Sequence, residues 1–186
     1  DEAGLGDVAS RFGPLSVHPV DLLSGSTRTV SVIQDTADHP PAGFEWHTDL
    51  SWTVAPPRFG FLAAVVIPPH GGDTLWASGR AMYDRLDPAV QRMCRSLRVV
   101  HAPDRALLDT VRRHHGDETV EELVALHPPV DHPLVRRDPE TGRDALWLSP
   151  LYTAGVVGLP AADSARVLRH LRRLVDDPQV QVRWRW

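Results

Sequence analysis

The stretch Phe44-Glu45-Trp46-His47-Thr48-Asp49-Leu50-Ser51-Trp52 places an imidazole and a carboxylate two residues apart between aromatic side chains. Alternate side chains of a β-strand project from one face, so a strand here would let His47 and Asp49 converge on one point. One histidine and one carboxylate are two of the three ligands in the facial triad that holds non-haem Fe(II). The stretch therefore predicts a strand that carries a metal site.

The spacing by itself is a weak signal. With 10 His and 18 Asp among 186 residues, about one His-x-Asp pair is expected by chance. A second copy, His115-Gly116-Asp117, lies in a highly charged stretch that we interpret as an exposed turn. We expect only the first copy, with its aromatic neighbours, to bind metal.

The composition is that of an ordinary globular domain, with 42% hydrophobic and 24% charged residues. The net charge of −4 does not favour binding to nucleic acid or to anionic membranes. All 20 basic residues are Arg, which excludes a catalytic lysine within this sequence. The single Cys94 cannot form an intrachain disulfide, and no transmembrane-length apolar run or signal peptide is visible. These features favour a cytoplasmic protein.

Short strand patterns alternate with turns and helices along the chain. Residues 28–34 are predicted to form a strand, and the apolar run 58–67 a buried central strand. Turn chemistry at 138–142 predicts a hairpin over 135–148. The predicted helices cover residues 3–12, 78–86, 88–97 and 161–175. This pattern favours a mainly β fold with helical insertions (α+β), a double-stranded β-helix of the jelly-roll, cupin-like type, over a βαβ succession.

Four motifs follow one another in an order that resembles a known family. They are Trp46-His47-Thr48-Asp49, Gly71-Gly72-Asp73-Thr74-Leu75-Trp76, His132-Pro133-Leu134-Val135-Arg136 with Pro139-Glu140-Thr141-Gly142, and Gln181-Val182-Arg183-Trp184-Arg185-Trp186. Together they closely resemble the taurine dioxygenase family (TauD/TfdA-like) of Fe(II)/2-oxoglutarate-dependent oxygenases. The likeness extends over nearly the whole chain.

The resemblance implies a double-stranded β-helix in which His47 and Asp49 are the catalytic iron ligands. It implies that Thr74 binds the carboxylate of the co-substrate 2-oxoglutarate. The residues it places in the substrate pocket are His18, Trp46, Leu50 and Tyr152. The implied cofactors are Fe(II) and 2-oxoglutarate. The implied partners are O2 and a small-molecule substrate, with no nucleic acid and no membrane, and the sequence leaves open a homo-oligomer.

The reaction implied by the resemblance hydroxylates an unactivated C–H bond and converts 2-oxoglutarate to succinate. Two departures from the family pattern bear on the substrate. Members specific for taurine carry a Tyr where this chain has Asp21, and an Asn where it has Gly43. Taurine itself is therefore not expected, whereas another sulfonate or an alkyl sulfate fits the wider family.

The family's second iron histidine and its arginine for 2-oxoglutarate lie downstream of the Arg-Trp-Arg-Trp stretch that ends at Trp186. None of the other histidines between 101 and 170 occupies the matching position. We therefore expect residues 1–186 to form a single oxygenase domain that lacks its N-terminal start and its C-terminal end. Residues 101–130 have little strand character and are expected to form a lid or insertion.

Two other interpretations remain open. If His47 and Asp49 were the whole iron site, the chain would be an incomplete or non-catalytic jelly-roll remnant, because two protein ligands bind Fe(II) weakly. A metal-dependent, sugar-modifying cupin-like enzyme shares the architecture. That enzyme class does not predict the Gly71–Trp76 block at its distance from His47.

Overall fold

A computed structural model describes residues 2–34 and 45–186, and over these residues it shows a mixed α+β fold with seven α-helices and seven short strands. The helices are α1 (Glu2–Ser10), α2 (Pro19–Leu23), α3 (Gly79–Asp84), α4 (Pro88–Ser96), α5 (Arg105–His115), α6 (Asp117–Leu126) and α7 (Ala161–Arg172). The strands are β1 (Thr74–Ala77), β2 (Arg98–His101), β3 (Val130–Pro133), β4 (Val135–Arg137), β5 (Asp144–Leu146), β6 (Thr153–Val156) and β7 (Gln181–Trp184).

The strands form three small antiparallel sheets. β1 pairs with β7, β2 lies between β3 and β6, and β4 pairs with β5. The first of these pairings joins two of the sequence motifs, because Thr74 lies opposite Trp184 although they are far apart in the chain. Arg183 Nε donates to Asp73 Oδ2 at 2.6 Å beside the same pairing. The β4–β5 hairpin confirms the turn predicted from the sequence.

Two apolar clusters hold these elements together. The larger one packs α3, α4 and α7 against the strands and includes the fully buried Cys94, Val99, Leu134 and Leu171. The smaller one lies beneath α2, α5 and α6, and its buried members are Val20, Trp52, Val111, Val120 and Leu123. Within the described ranges, no helix has both the length and the apolar character to cross a bilayer.

The helix predictions are confirmed because the sequence supplies local start signals. Ser78 Oγ accepts a hydrogen bond from the Ala81 amide at the start of α3. Pro88 occupies the first position of α4, where its missing N–H costs nothing. The stretch 101–130 is largely helical, as α5 and α6, and its role as a lid remains a prediction.

Two strand predictions are wrong. Residues 28–34 and 58–67 have no strand structure, and the second run is exposed where burial was expected, with Val65 at 90% and Val66 at 86% exposure. An apolar run becomes a central strand only if neighbouring strands bond to both of its edges. Within the described part of the chain no strand pairs with either run. Residues 35–44, which include Gly43 and Phe44 of the sequence motifs discussed above, lie outside the described residues.

We expect Gly79→Ala to destabilise the fold, because a Cβ at this position would overlap the backbone carbonyl oxygen of Leu146 in β5. Backbone atoms cannot easily shift to relieve this overlap, so the free energy of unfolding should fall by about 1–3 kcal/mol. Urea titration measures this loss. Gly6→Ala in α1 is the matched control, since its nearest neighbours lie at ordinary contact distances of 3.8 and 3.9 Å. Equal stability of the two variants would contradict this account of α3 packing.

Candidate metal centre

His47 and Asp49, hereafter the metal pair, do converge, but not on a strand. His47 Nε2 lies 3.2 Å from Asp49 Oδ1. The pair lies in a turn over residues 45–53, hereafter the metal turn, in which the Thr53 amide donates to the Leu50 carbonyl at 2.9 Å. Leu50 has φ +52°, and it is the one non-glycine residue with positive φ in the described ranges. A left-handed residue interrupts an extended backbone, so the prediction of a strand here is wrong.

A backbone contact fixes the orientation of the His47 ring. Its Nδ1 lies 2.8 Å from the Glu45 carbonyl oxygen, and a carbonyl only accepts, so Nδ1 carries a proton. In the neutral ring Nε2 then presents its lone pair to the Asp49 carboxylate. Two acceptors 3.2 Å apart repel each other unless a proton or a cation lies between them. The arrangement is therefore suited to hold a positive charge at this point.

The electrostatics of the pair agree with its geometry. The hydrogen bond that protonated His47 donates to Asp49 raises the pKa of His47 above its ordinary value, against the opposing effect of burial. The same contact lowers the pKa of Asp49. Both shifts favour the charged forms of the two side chains, with the His47 proton directed at the Asp49 carboxylate.

The metal pair fits a divalent metal ion. Two ligands at about 2.1 Å from one ion, at right angles, would be about 3.0 Å apart, close to the observed 3.2 Å. A metal-bound histidine also commonly donates its second ring N–H to a carbonyl, as His47 does to Glu45. Among the described residues no group of three His, Cys, Asp or Glu side chains could hold a metal, so the pair supplies two ligands.

The metal pair is open on one side. The His47 side chain is 36% exposed and that of Asp49 is 75% exposed. The Tyr152 ring lies edge-on to His47, with centroids 6.2 Å apart. Burial, with smaller contributions from nearby carboxylates, raises the pKa of Tyr152 to about 12, so its phenol stays protonated. The open side could admit further ligands.

The other predicted pocket residues lie in two places. His18 is the N-cap of α2 and its ring contacts Trp52 edge-on at 6.3 Å. Burial lowers the pKa of His18, and the negative charges of Asp21 and, to a smaller extent, Asp49 oppose that shift. Leu50 packs with Tyr152 on the smaller apolar cluster.

The side chains of Trp46 and Thr74 have other neighbours than those of His18, Leu50 and Tyr152. Trp46 packs against the larger apolar cluster. Thr74, in β1, accepts a hydrogen bond at its Oγ1 from Trp186 Nε1 at 2.9 Å. In the described ranges no hydrogen bond joins Thr74 to the metal pair.

The second His-x-Asp copy is not arranged as a pair. Asp117 accepts a hydrogen bond from Arg112 Nε at 2.7 Å, and His115 Nδ1 lies 2.9 Å from Ser24 Oγ. The two side chains have different partners because His115 ends α5 and Asp117 begins α6.

A layer of buried polar side chains, not predicted from the sequence, lies behind the metal turn. Its members are His101, His132, Ser149 and Thr153, which are at most 5% exposed and lie beside the equally buried Ser51 of the turn. One signal was available, since His132 begins the third of the four motifs. The others come from separate strands and loops that only the fold brings together.

Comparison with known proteins identifies the family. The profile of the family described as "Taurine catabolism dioxygenase TauD, TfdA family" matches residues 1–186. The chain therefore belongs to the TauD/TfdA family of dioxygenases, as the four motifs predicted. The jelly-roll, cupin-like fold class predicted from the sequence is confirmed by structural neighbours of this family.

Two curated relatives match most of the chain. Alpha-ketoglutarate-dependent dioxygenase oryG of Aspergillus oryzae is 33% identical over 187 residues, covering 92% of this chain and 55% of the relative. Alkylsulfatase of Acinetobacter baylyi is 30% identical over 182 residues, covering 96% of this chain and 56% of the relative. The chain thus spans about half the length of these relatives.

Two solved structures are similar to the chain. A Burkholderia xenovorans protein described as an alpha-ketoglutarate dependent 2,4-D dioxygenase has a TM-score of 0.75 and 28% identity, covering 100% of this chain and 65% of that one. The structure of AAD-2 in complex with Mn(II) and N-oxalylglycine has a TM-score of 0.64 and 28% identity, covering 76% of this chain and 54% of that one. N-oxalylglycine is an analogue of 2-oxoglutarate.

Proposed function

We propose that this chain carries part of the iron site of an Fe(II)- and 2-oxoglutarate-dependent dioxygenase that hydroxylates a C–H bond of a small molecule. The observation that carries the proposal is the metal pair, with His47 Nε2 and Asp49 Oδ1 3.2 Å apart and His47 Nδ1 tied to the backbone. Family membership supplies the reaction class.

The metal and the keto acid are supported by the relatives. The relative from A. oryzae is named for its dependence on alpha-ketoglutarate, and AAD-2 was solved with Mn(II) and an analogue of that acid. When bound, iron would supply the activation of O2 coupled to decarboxylation of 2-oxoglutarate to succinate.

The residues of this chain have separate tasks in that reaction. His47 presents a lone pair and Asp49 a carboxylate to the metal, and their exposed side leaves room for the co-substrate and O2. Tyr152 borders this space as a neutral phenol, because its pKa is raised to about 12. His18 is biased toward its neutral form by burial, feels the charge of Asp49, and contacts the buried Trp52 ring edge-on.

We propose a substrate with an anionic head group other than taurine, such as an alkyl sulfate or a sulfonate. One relative is named an alkylsulfatase, which supports the sulfate ester. Asp21 accepts a hydrogen bond from Ser31 Oγ at 3.1 Å, so this carboxylate is engaged locally. Taurine-specific members carry a Tyr at the position of Asp21, and a carboxylate cannot donate the hydrogen bond that a phenol can, so that contact to taurine is lost here.

An incomplete or non-catalytic remnant is the second candidate. It is favoured by one observation, the absence of a third metal ligand within the described residues. The two candidates differ in whether the intact protein turns over 2-oxoglutarate.

The test is anaerobic addition of Fe(II) and then 2-oxoglutarate to the intact protein. The expected result is a charge-transfer absorption band, followed on exposure to air by succinate formation that rises with an alkyl sulfate. Taurine should give less succinate than the alkyl sulfate. Absence of both the band and succinate, in protein that is folded by circular dichroism, would favour the remnant.

A further inference from the structure

The metal turn is bonded from behind by buried side chains of other elements. The Thr48 amide donates to Ser149 Oγ at 3.1 Å. His101 Nδ1, from β2, lies 3.0 Å from Ser51 Oγ. On its other side, His101 Nε2 lies 3.4 Å from the hydroxyl of Thr153, which faces it across the β2–β6 pairing. His101 therefore connects the metal turn to the three-stranded sheet.

His132 holds the turn through its backbone. Its Nε2 lies 3.0 Å from the Ser51 carbonyl oxygen and 3.1 Å from that of Thr53. Carbonyl oxygens only accept, so Nε2 carries the proton and Nδ1 accepts from Arg136 Nη2 at 3.1 Å. The Arg136 guanidinium lies 3.6 Å above the Trp147 ring centre. One side chain thus fixes two carbonyls, and its own tautomer is fixed by Arg136.

The turn needs such support because its backbone is strained. Leu50, between Asp49 and the bonded residues, has φ +52°, a conformation that is unfavourable for a residue with a Cβ. A strained residue keeps its conformation only when its surroundings impose it. The contacts to Ser51 and Thr53 begin directly after Leu50, where they oppose relaxation toward an extended backbone.

We propose that His101 and His132 are positioning residues, which hold the metal turn so that His47 and Asp49 can bind one metal ion. The inference rests on the proposed function for the identity of that ion. It does not require that either histidine touch metal or substrate. Both are buried behind the turn, whereas the metal pair is open on the other side.

The experiment compares two buried serines in the intact protein. Ser51→Ala removes the hydroxyl that faces His101. Ser164→Ala removes another buried hydroxyl, which lies in α7 and accepts from the Val156 amide of β6. Mn(II) binding is measured by EPR, and amide exchange of the peptide covering 45–54 by mass spectrometry. We expect Ser51→Ala to weaken Mn(II) binding about 10- to 100-fold and to speed exchange in that peptide. Ser164→Ala should change neither.

A second pair of variants tests His132. His132→Leu removes the donor to both carbonyls and should weaken Mn(II) binding by a similar factor. His132→Gln keeps a side-chain N–H that can donate to them, and should recover much of the loss. If Ser51→Ala and His132→Leu bind Mn(II) and exchange as the wild type does, or if Gln rescues nothing, the positioning role is refuted.

Failure of the proposed function would look different. A wild-type protein that binds no Mn(II) would refute the iron site. The amide exchange of the peptide covering 45–54 would then be the measurement that decides the positioning role. Faster exchange in Ser51→Ala and His132→Leu, with no change in Ser164→Ala, would support it. Unchanged exchange in all three variants would overturn it. Circular dichroism identifies any variant that has lost its fold.

Discussion

His47→Ala should reduce metal binding and 2-oxoglutarate-dependent succinate formation by more than about 100-fold, beyond what loss of an outer-shell contact costs. The variant removes one of the two proposed metal ligands, whose side chains lie 3.2 Å apart, and leaves the Asp49 carboxylate without its partner. A single carboxylate on an exposed turn holds a divalent ion weakly. Asp49→Ala should be as severe. Mn(II) EPR measures the binding and chromatography measures succinate.

The second His-x-Asp copy provides the matched control. His115→Ala and Asp117→Ala make the same chemical changes at residues that do not form a pair, since Asp117 is bonded to Arg112 and His115 to Ser24. Both should retain metal binding and turnover close to the wild type. Retained turnover in His47→Ala, or an equal loss in His115→Ala, would show that the metal pair has been assigned incorrectly.

Acidification should destabilise the fold through His101. Burial, with smaller effects from His132 and Arg136, lowers the pKa of His101 from 6.5 to about 4. In this window the unfolded chain binds a proton that the folded protein does not, so unfolding free energy falls as pH falls. The stability that the neutral His101 contributes is complete above about pH 6.5 and is lost by about pH 4. At about 1.4 kcal/mol per pH unit, it amounts to about 3 kcal/mol.

Urea titrations at several pH values test this expectation. Burial also lowers the pKa values of His18, His127 and His132, so these residues act in the same direction. His101→Asn has no titratable group at that position. The slope of its unfolding free energy against pH should be smaller than that of the wild type by the equivalent of about one bound proton. The NMR titration of His101 should show a midpoint well below 6. An ordinary midpoint, or an equal slope in the variant, would contradict the assignment.

The metal pair itself could be predicted from the sequence because its ligands are neighbours in the chain. Two residues separated by one position can reach the same point in an extended strand and also in a tight turn. The prediction that His47 and Asp49 converge was therefore correct, although the prediction of a strand was wrong. Leu50 explains why the strand was predicted wrongly. A leucine in the sequence does not indicate a left-handed conformation, because surrounding contacts impose that conformation in the folded protein.

The strand predicted at 58–67 failed for a related reason. Its apolar composition is a property of the sequence, whereas strand structure requires hydrogen-bonding partners from elsewhere in the chain. Where partners are present in the described residues, strands formed, as in the predicted β4–β5 hairpin and in the pairing of β1 with β7.

The sequence by itself determined the family, through four ordered motifs, together with the proximity of His47 and Asp49 and the helices whose start signals are local. Only the tertiary structure decided how the metal turn is held. His101, His132 and Ser149 contact it from positions 50 to 101 residues away in the chain. A hydrogen bond forms only over about 3 Å, and folding alone brings such distant residues that close.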